Sequence, residues 1–145
     1  MRLSDAVKFD TKMWGLIGTK LVDKLLKRTF SSGIDVNNRP FKKYSRKYGE
    51  FRREKGRQPG VVDHTFTGRF QKNLKVGRTT RSGVSYGWST EGAKVDYAEG
   101  YGRDILGTTG VSKSEGKIIA DEIGSFIDKR IKKFARKRTV VKVGK

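Results

Sequence analysis

His64 is the chain's single histidine and follows Asp63, so an acid–base pair is the first chemistry to weigh. Residues 61–66 read as a short strand, where adjacent side chains point to opposite faces and the two would not meet. No serine stands in a nucleophile's motif. With no cysteine, the chain has no thiol chemistry, no disulfide and no Cys-ligated zinc or iron–sulfur site. One histidine also excludes the usual multi-histidine metal sites. His64 is therefore expected to be a partly buried structural residue, with no catalytic, cofactor or metal site in the chain. Gly100 and Gly102 invite a phosphate-loop reading, but Ile105 stands where a third glycine is needed, and no Walker lysine pattern occurs. Tight turns account for these glycines better.

Two basic clusters could bind polyanions. In the first, Phe41, Tyr44, Tyr48 and Phe51 recur at i, i+3, i+7 and i+10 among Lys42, Lys43, Arg46, Lys47, Arg52 and Arg53. Interleaved bases and aromatics can stack a single strand. Tyr44, Tyr48 and Phe51 share one helical face, however, so core packing is expected of them and the basic residues fall on the solvated side. The second cluster runs from Lys129 through Arg136, Lys137 and Arg138 to Lys145 without an acid. Cations near a helix C-terminus oppose the dipole, but the run continues past that need. Val140, Val141 and Val143 could add a strand to a neighbour's sheet once the repulsion is neutralised. Residues 139–145 are expected to form a basic arm, ordered against DNA or an acidic surface.

These clusters sit in a chain of 145 residues with 34 Lys+Arg, 15 Asp+Glu and a formal net charge of +19. That length supports one core, expected over residues 1–138. The charge points to polyanions or acidic partners without choosing between them. No apolar run approaches the ~18 residues of a membrane span, and the N-terminus lacks the order of a signal peptide.

The positioning elements follow from periodicity. A helix is expected over residues 4–29, capped by Ser4, with Trp14, Ile17, Leu21 and Leu25 on one face and Lys24, Lys27 and Arg28 facing the C-terminal dipole. Phe9, Met13 and Leu16 form a second apolar group, expected to meet another subunit or the last helix. A short helix over 45–55 ends at Gly56, and Thr67-Gly68 opens a single turn. Strands over 75–80 and 84–90 flank Arg81-Ser82-Gly83, with Val84, Tyr86 and Trp88 alternating toward the core. A short helix or extended turn over 93–99 leads to a glycine-punctuated loop. The last helix, over 112–135, carries Ile119, Ile123, Phe126, Ile127, Ile131 and Phe134 on one face. The fold class is α+β: long N- and C-terminal amphipathic helices on a small antiparallel sheet with a central β-hairpin.

Taken in order, five short motifs stand out: Asp35 with Pro40-Phe41, Tyr44-Ser45, Thr67-Gly68-Arg69, Tyr97-Ala98, and Gly102-Arg103 through Gly107. This series resembles the tail-completion and virion-morphogenesis proteins of tailed bacteriophages, the neck or minor tail proteins similar to lambda minor tail protein Z. Asn38 stands where that family has a glycine, and Glu99 where it has a histidine. The resemblance implies a structural protein without enzyme activity and without a cofactor. It implies a homo-oligomeric ring of roughly six or twelve copies, between a portal or adaptor and the tail-tube or tail-terminator proteins, with packaged DNA near its axis. Its place would be the virion, and the host cytoplasm during assembly. The alternative is a basic nucleic-acid-binding module using residues 46–57 and 129–145.

Overall fold

The computed structural model describes residues 8–65, 67–107 and 111–138, the side chains of 137 and 138 excepted. Helix α1 spans Thr11–Leu26. It starts later than periodicity suggests because Asp10, in extended backbone conformation, caps it: the Asp10 carboxylate accepts from the Met13 N–H at 2.8 Å. Phe9 thus lies ahead of the helix, and the i, i+4, i+7 relation to Met13 and Leu16 does not hold. Met13 is buried with Ile17 and Leu21, whereas Leu16 is 50% exposed. Ile17 and Leu25 are wholly buried, each contributing about 1.5–3 kcal/mol by its removal from water.

The chain leaves α1 through a π-helical turn, Lys27–Ser31, rather than in α-helix to residue 29. The wider turn accommodates an extra residue, and Arg28, Thr29 and Phe30 all end up buried. Helix α2, Arg46–Glu54, is capped by the Ser45 hydroxyl and followed by Gly56 in the left-handed region. Val61 to Thr65 form no strand. Helix α3, Arg69–Lys72, opens at Gly68 with φ +77°. Strands β1, Leu74–Thr79, and β2, Val84–Trp88, pair antiparallel with Leu74 opposite Trp88 and Val76 opposite Tyr86. Among the described residues the sheet is this hairpin and no more. Helix α4 is Ala93–Gly100, and α5 is Lys113–Arg138.

Helix α1 is the spine, packed on the hairpin and on α5. Its approach to the hairpin is close at Gly18, where a Cβ would come within 2.7 Å of Val84 Cγ2 and 2.9 Å of Val76 Cγ1. One core cluster joins Leu25, Phe30 and Phe41 to Phe70, Leu74, Ala98 and Ile105, with Tyr86 and Trp88 partly buried against it. The expected facing of the hairpin therefore holds. Trp88 stacks on Phe70 at 4.8 Å between centroids and donates its indole N–H to the Phe70 carbonyl at 2.8 Å. A second cluster seats Met13, Ile17 and Leu21 against Ile119, Ile123 and Phe126 of α5. Helices and hairpin together give the α+β class.

Helix α5 begins with a capping box. The Ser112 hydroxyl accepts from the Glu115 N–H at 3.2 Å, and Glu115 Oε2 accepts from the Ser112 N–H at 2.7 Å. The other Glu115 oxygen accepts from Arg28 Nε at 3.1 Å. Arg28 also donates to the carbonyls of Ile34 and Ile105. Arg28 thus does not sit in solvent at the helix C-terminus; its side chain is 4% exposed and that of Glu115 fully buried. One ion pair ties α1, the loop after α4 and the start of α5 together.

Candidate functional site

Phe41 enters the core, but the rest of the aromatic stripe does not follow it. Tyr48 and Phe51 are each 39% exposed, because α2 lies at the periphery with few elements beneath it. Core packing is therefore the wrong reading for those two. Tyr44 and Tyr48 meet edge to face at 5.1 Å, and Phe51 continues the row 6.0 Å from Tyr48.

What holds α2 in place is Arg52, the one buried residue on this helix. Its guanidinium donates to the Gln58 and Thr65 carbonyls and to Asp63 Oδ1, at 3.0, 2.9 and 3.0 Å. It also lies 4.7 Å from the centre of the Tyr44 ring. Asp63 is the hub of this loop, accepting in addition from the Thr65 N–H, the Tyr44 hydroxyl and the Gln58 amide. Arg52 is a brace for the 58–65 loop, not a member of a solvated basic face.

Asp63 thus works through Arg52 and not through His64. His64 takes φ +49°, and its ring stands edge-on to Phe41 at 4.8 Å. Its Nε2 has no hydrogen-bond partner among the described residues. Burial, aided by the Arg103 and Arg52 charges and opposed by Asp63, pushes its pKa down to about 4. The imidazole is therefore neutral at pH 7, and it lies on the wall of the groove between α2 and α4.

Across from α2, helix α4 presents Tyr97 and its C-cap residue Tyr101, 68% and 52% exposed. Their hydroxyls are 3.2 Å apart and their rings 4.9 Å. That hydrogen bond is the main cause that raises the Tyr97 pKa, whereas burial raises that of Tyr44. Arg103 lies between the two tyrosine groups, 5.1 Å from the Tyr44 ring centre and 5.8 Å from that of Tyr101. Its Nε donates to the Lys42 carbonyl at 3.0 Å. Between α2 and α4 lies a groove of about 690 Å³ whose lining includes Tyr44, Tyr48, Tyr97, Tyr101, Lys42, Lys43, Lys94 and Arg103, and no carboxylate among the described residues. Two signals could have revealed it: the i, i+4 tyrosine spacings at 44/48 and at 97/101.

The motif positions make turns and joints. The Asp35 carboxylate accepts from the Asn37 and Arg39 N–H groups, and Ile34 bridges to Pro40. Asn38 takes φ +64°, a left-handed conformation that asparagine tolerates better than most residues with a side chain. The Val36 N–H donates to the Asp104 carbonyl at 3.0 Å. Gly107, at φ +67°, lies under Val36, where a Cβ would meet Val36 Cγ1 at 2.9 Å. Thr67 accepts weakly from the Arg69 N–H at 3.4 Å, and Gly68 makes the turn into α3. Ala98 is in the core, Gly102 is left-handed at φ +70°, and Tyr97 points outward.

The remaining interface candidates fall apart into separate places. Met13 is core, and the Phe9 ring packs 5.8 Å from Phe126 of α5, the intrachain form of the expected contact. Leu16 stays exposed, as do Lys129 and Arg136 on α5. The side chains of Lys137 and Arg138, and the arm with Val140, Val141 and Val143, lie outside the described residues. No group of three or more His, Asp or Glu among the described residues could hold a metal ion. No helix among them is long and apolar enough to cross a membrane. Comparison with protein-family models, with curated proteins and with solved structures finds no match to this chain.

Proposed function

We propose that this chain is a structural protein of a tailed-phage virion, a protomer of the ring that joins head to tail. The observation that carries the reading is the convergence of its motifs. The Asp35 loop, Tyr44, the Ala98 helix, Arg103 and Gly107 are distant in sequence yet interlock: Val36 bonds Asp104, Gly107 supports Val36, and Arg103 bonds the Lys42 carbonyl. Their work is to set turns and joints, as an assembly protomer requires.

Two further features suit a protomer. Leu16 on α1 and Ile131 on α5 are large apolar side chains, 50% and 41% exposed, which neighbouring copies would cover. The net charge of +19 suits acidic neighbours or packaged DNA. The deciding experiment is disruption of the coding sequence in its parent phage or prophage. The expected phenotype is accumulation of DNA-filled heads and separate tails that do not join. Normal yields of joined, infectious particles would overturn the proposal.

A further inference from the structure

The groove between α2 and α4 combines exposed aromatic rings and lysines on one concave surface. Tyr48, Tyr97 and Tyr101 offer 39%, 68% and 52% of their surface to solvent. Lys42 and Lys43 stand on the same lining, and no described Asp or Glu is part of it. Both lysines lie immediately before Tyr44 and make no ion pair among the described residues. The rings are held, not loose: Arg103 is within cation–π reach of Tyr44 and Tyr101, and the Tyr97 and Tyr101 hydroxyls are bonded to each other. The groove's volume of about 690 Å³ lies within the range of small-ligand sites.

We propose that this groove binds single-stranded nucleic acid, with bases stacked on Tyr97, Tyr101 and Tyr48 and phosphates held by Lys42 and Lys43. The ligand must be anionic, since Lys42 and Lys43 line the site without an ion pair among the described residues, whereas Arg52 and Lys94 are already paired to Asp63 and Glu91. It must also be flat and apolar on its faces, since exposed tyrosine rings gain most from such partners. A single strand supplies both along one chain, phosphates on one side and bases on the other. A duplex keeps its bases stacked on each other and leaves the tyrosines without partners. An acidic peptide satisfies the lysines and leaves the rings in water. The proposal stands independently of whether the protein joins heads to tails.

The difficulty for any test is that so basic a protein binds every polyanion to some extent. The experiment therefore varies the bases at constant charge. Binding of the full chain to a fluorescent dodecathymidylate, and to an abasic strand of equal phosphate count, is measured by anisotropy over a salt series. The expected result is tighter binding of the strand with bases, by about tenfold, the scale of one base–aromatic stack. Tyr97→Ala/Tyr101→Ala, which leaves only Tyr48 to stack, should remove most of that preference and leave abasic binding unchanged. Tyr97→Phe/Tyr101→Phe, which keeps both rings, should restore it. Lys42→Gln/Lys43→Gln should weaken both strands and lower the salt slope, by about 0.7 per lost phosphate contact. Equal affinity for the two strands overturns the proposal, as does an alanine pair that keeps the preference while melting like the wild type. Displacement of the thymidylate by polyglutamate of equal charge, as effectively as by unlabelled thymidylate, also overturns it, in favour of an acidic peptide.

Discussion

Replacing Glu115 by alanine tests the ion pair that joins three parts of the fold. Glu115 is wholly buried and accepts from Arg28 Nε at 3.1 Å and from the Ser112 N–H at 2.7 Å. The substitution leaves the Arg28 guanidinium buried with two carbonyls and no counter-charge. Breaking a buried pair from one side costs about 3–5 kcal/mol, and loss of half the capping box adds up to about 1 kcal/mol. Against a typical domain stability of about 5–15 kcal/mol, that is a large fraction. Urea unfolding followed by far-UV circular dichroism should show a midpoint lower by about 2 M, taking a slope near 2 kcal/mol/M. Removing both charges together, as Arg28→Met/Glu115→Leu, should cost less than Glu115→Ala alone, because no stranded charge remains. A Glu115→Ala variant within about 1 kcal/mol of the wild type would refute the reasoning. So would a double variant that is less stable than the single one.

Four other expectations can be checked alongside it. His64 has a folded pKa of about 4 against 6.5 unfolded, so the unfolded chain takes up its proton first as pH falls. Stability should be full above pH 6.5, decline between there and pH 4 by at most about 3 kcal/mol, and lose this slope in His64→Asn, whose side chain tolerates the positive φ. Met13→Glu should unfold the chain at room temperature, while Leu16→Glu should leave its melting temperature within a degree or two, since one side chain is core and the other exposed. Trp88→Ala should cost about 3 kcal/mol, the low end for a large aromatic because Trp88 is only partly buried, and thermal melts would read it. Gly107→Ala should cost about 1–3 kcal/mol from left-handed strain and the Val36 contact, measured by the same urea assay.

Some of this architecture is legible from sequence because its causes are local. Ser45 and Gly56 bracket α2, Arg81-Ser82-Gly83 turns the hairpin, and the apolar period of α5 runs unbroken through Gly124. The α5 capping box is equally local, a serine followed three residues later by glutamate. Other features have distant causes. Arg28 and Arg52 stand among basic neighbours and read as solvated. Their burial depends on Glu115, 87 residues away, and on a loop that curls back to place Asp63. The groove was obscured for a similar reason. A helical aromatic face looks like core whether or not another element arrives to cover it, and Tyr48 and Phe51 each stay 39% exposed.

Burying Arg28 against Glu115 and Arg52 against Asp63 has a consequence for how the protein behaves in solution. Each pair removes one cation and one anion from the exterior, so the whole +19 excess remains outside. Inside, the attraction is shielded from dissolved ions; outside, like charges repel one another through water, where mobile ions damp the repulsion over about 8 Å at 0.15 M. Added salt thus relieves the strain without loosening the bolts. The chain should be a mild halophile by construction, more resistant to heat in buffered sodium chloride than in dilute buffer, and hardest to handle when desalted.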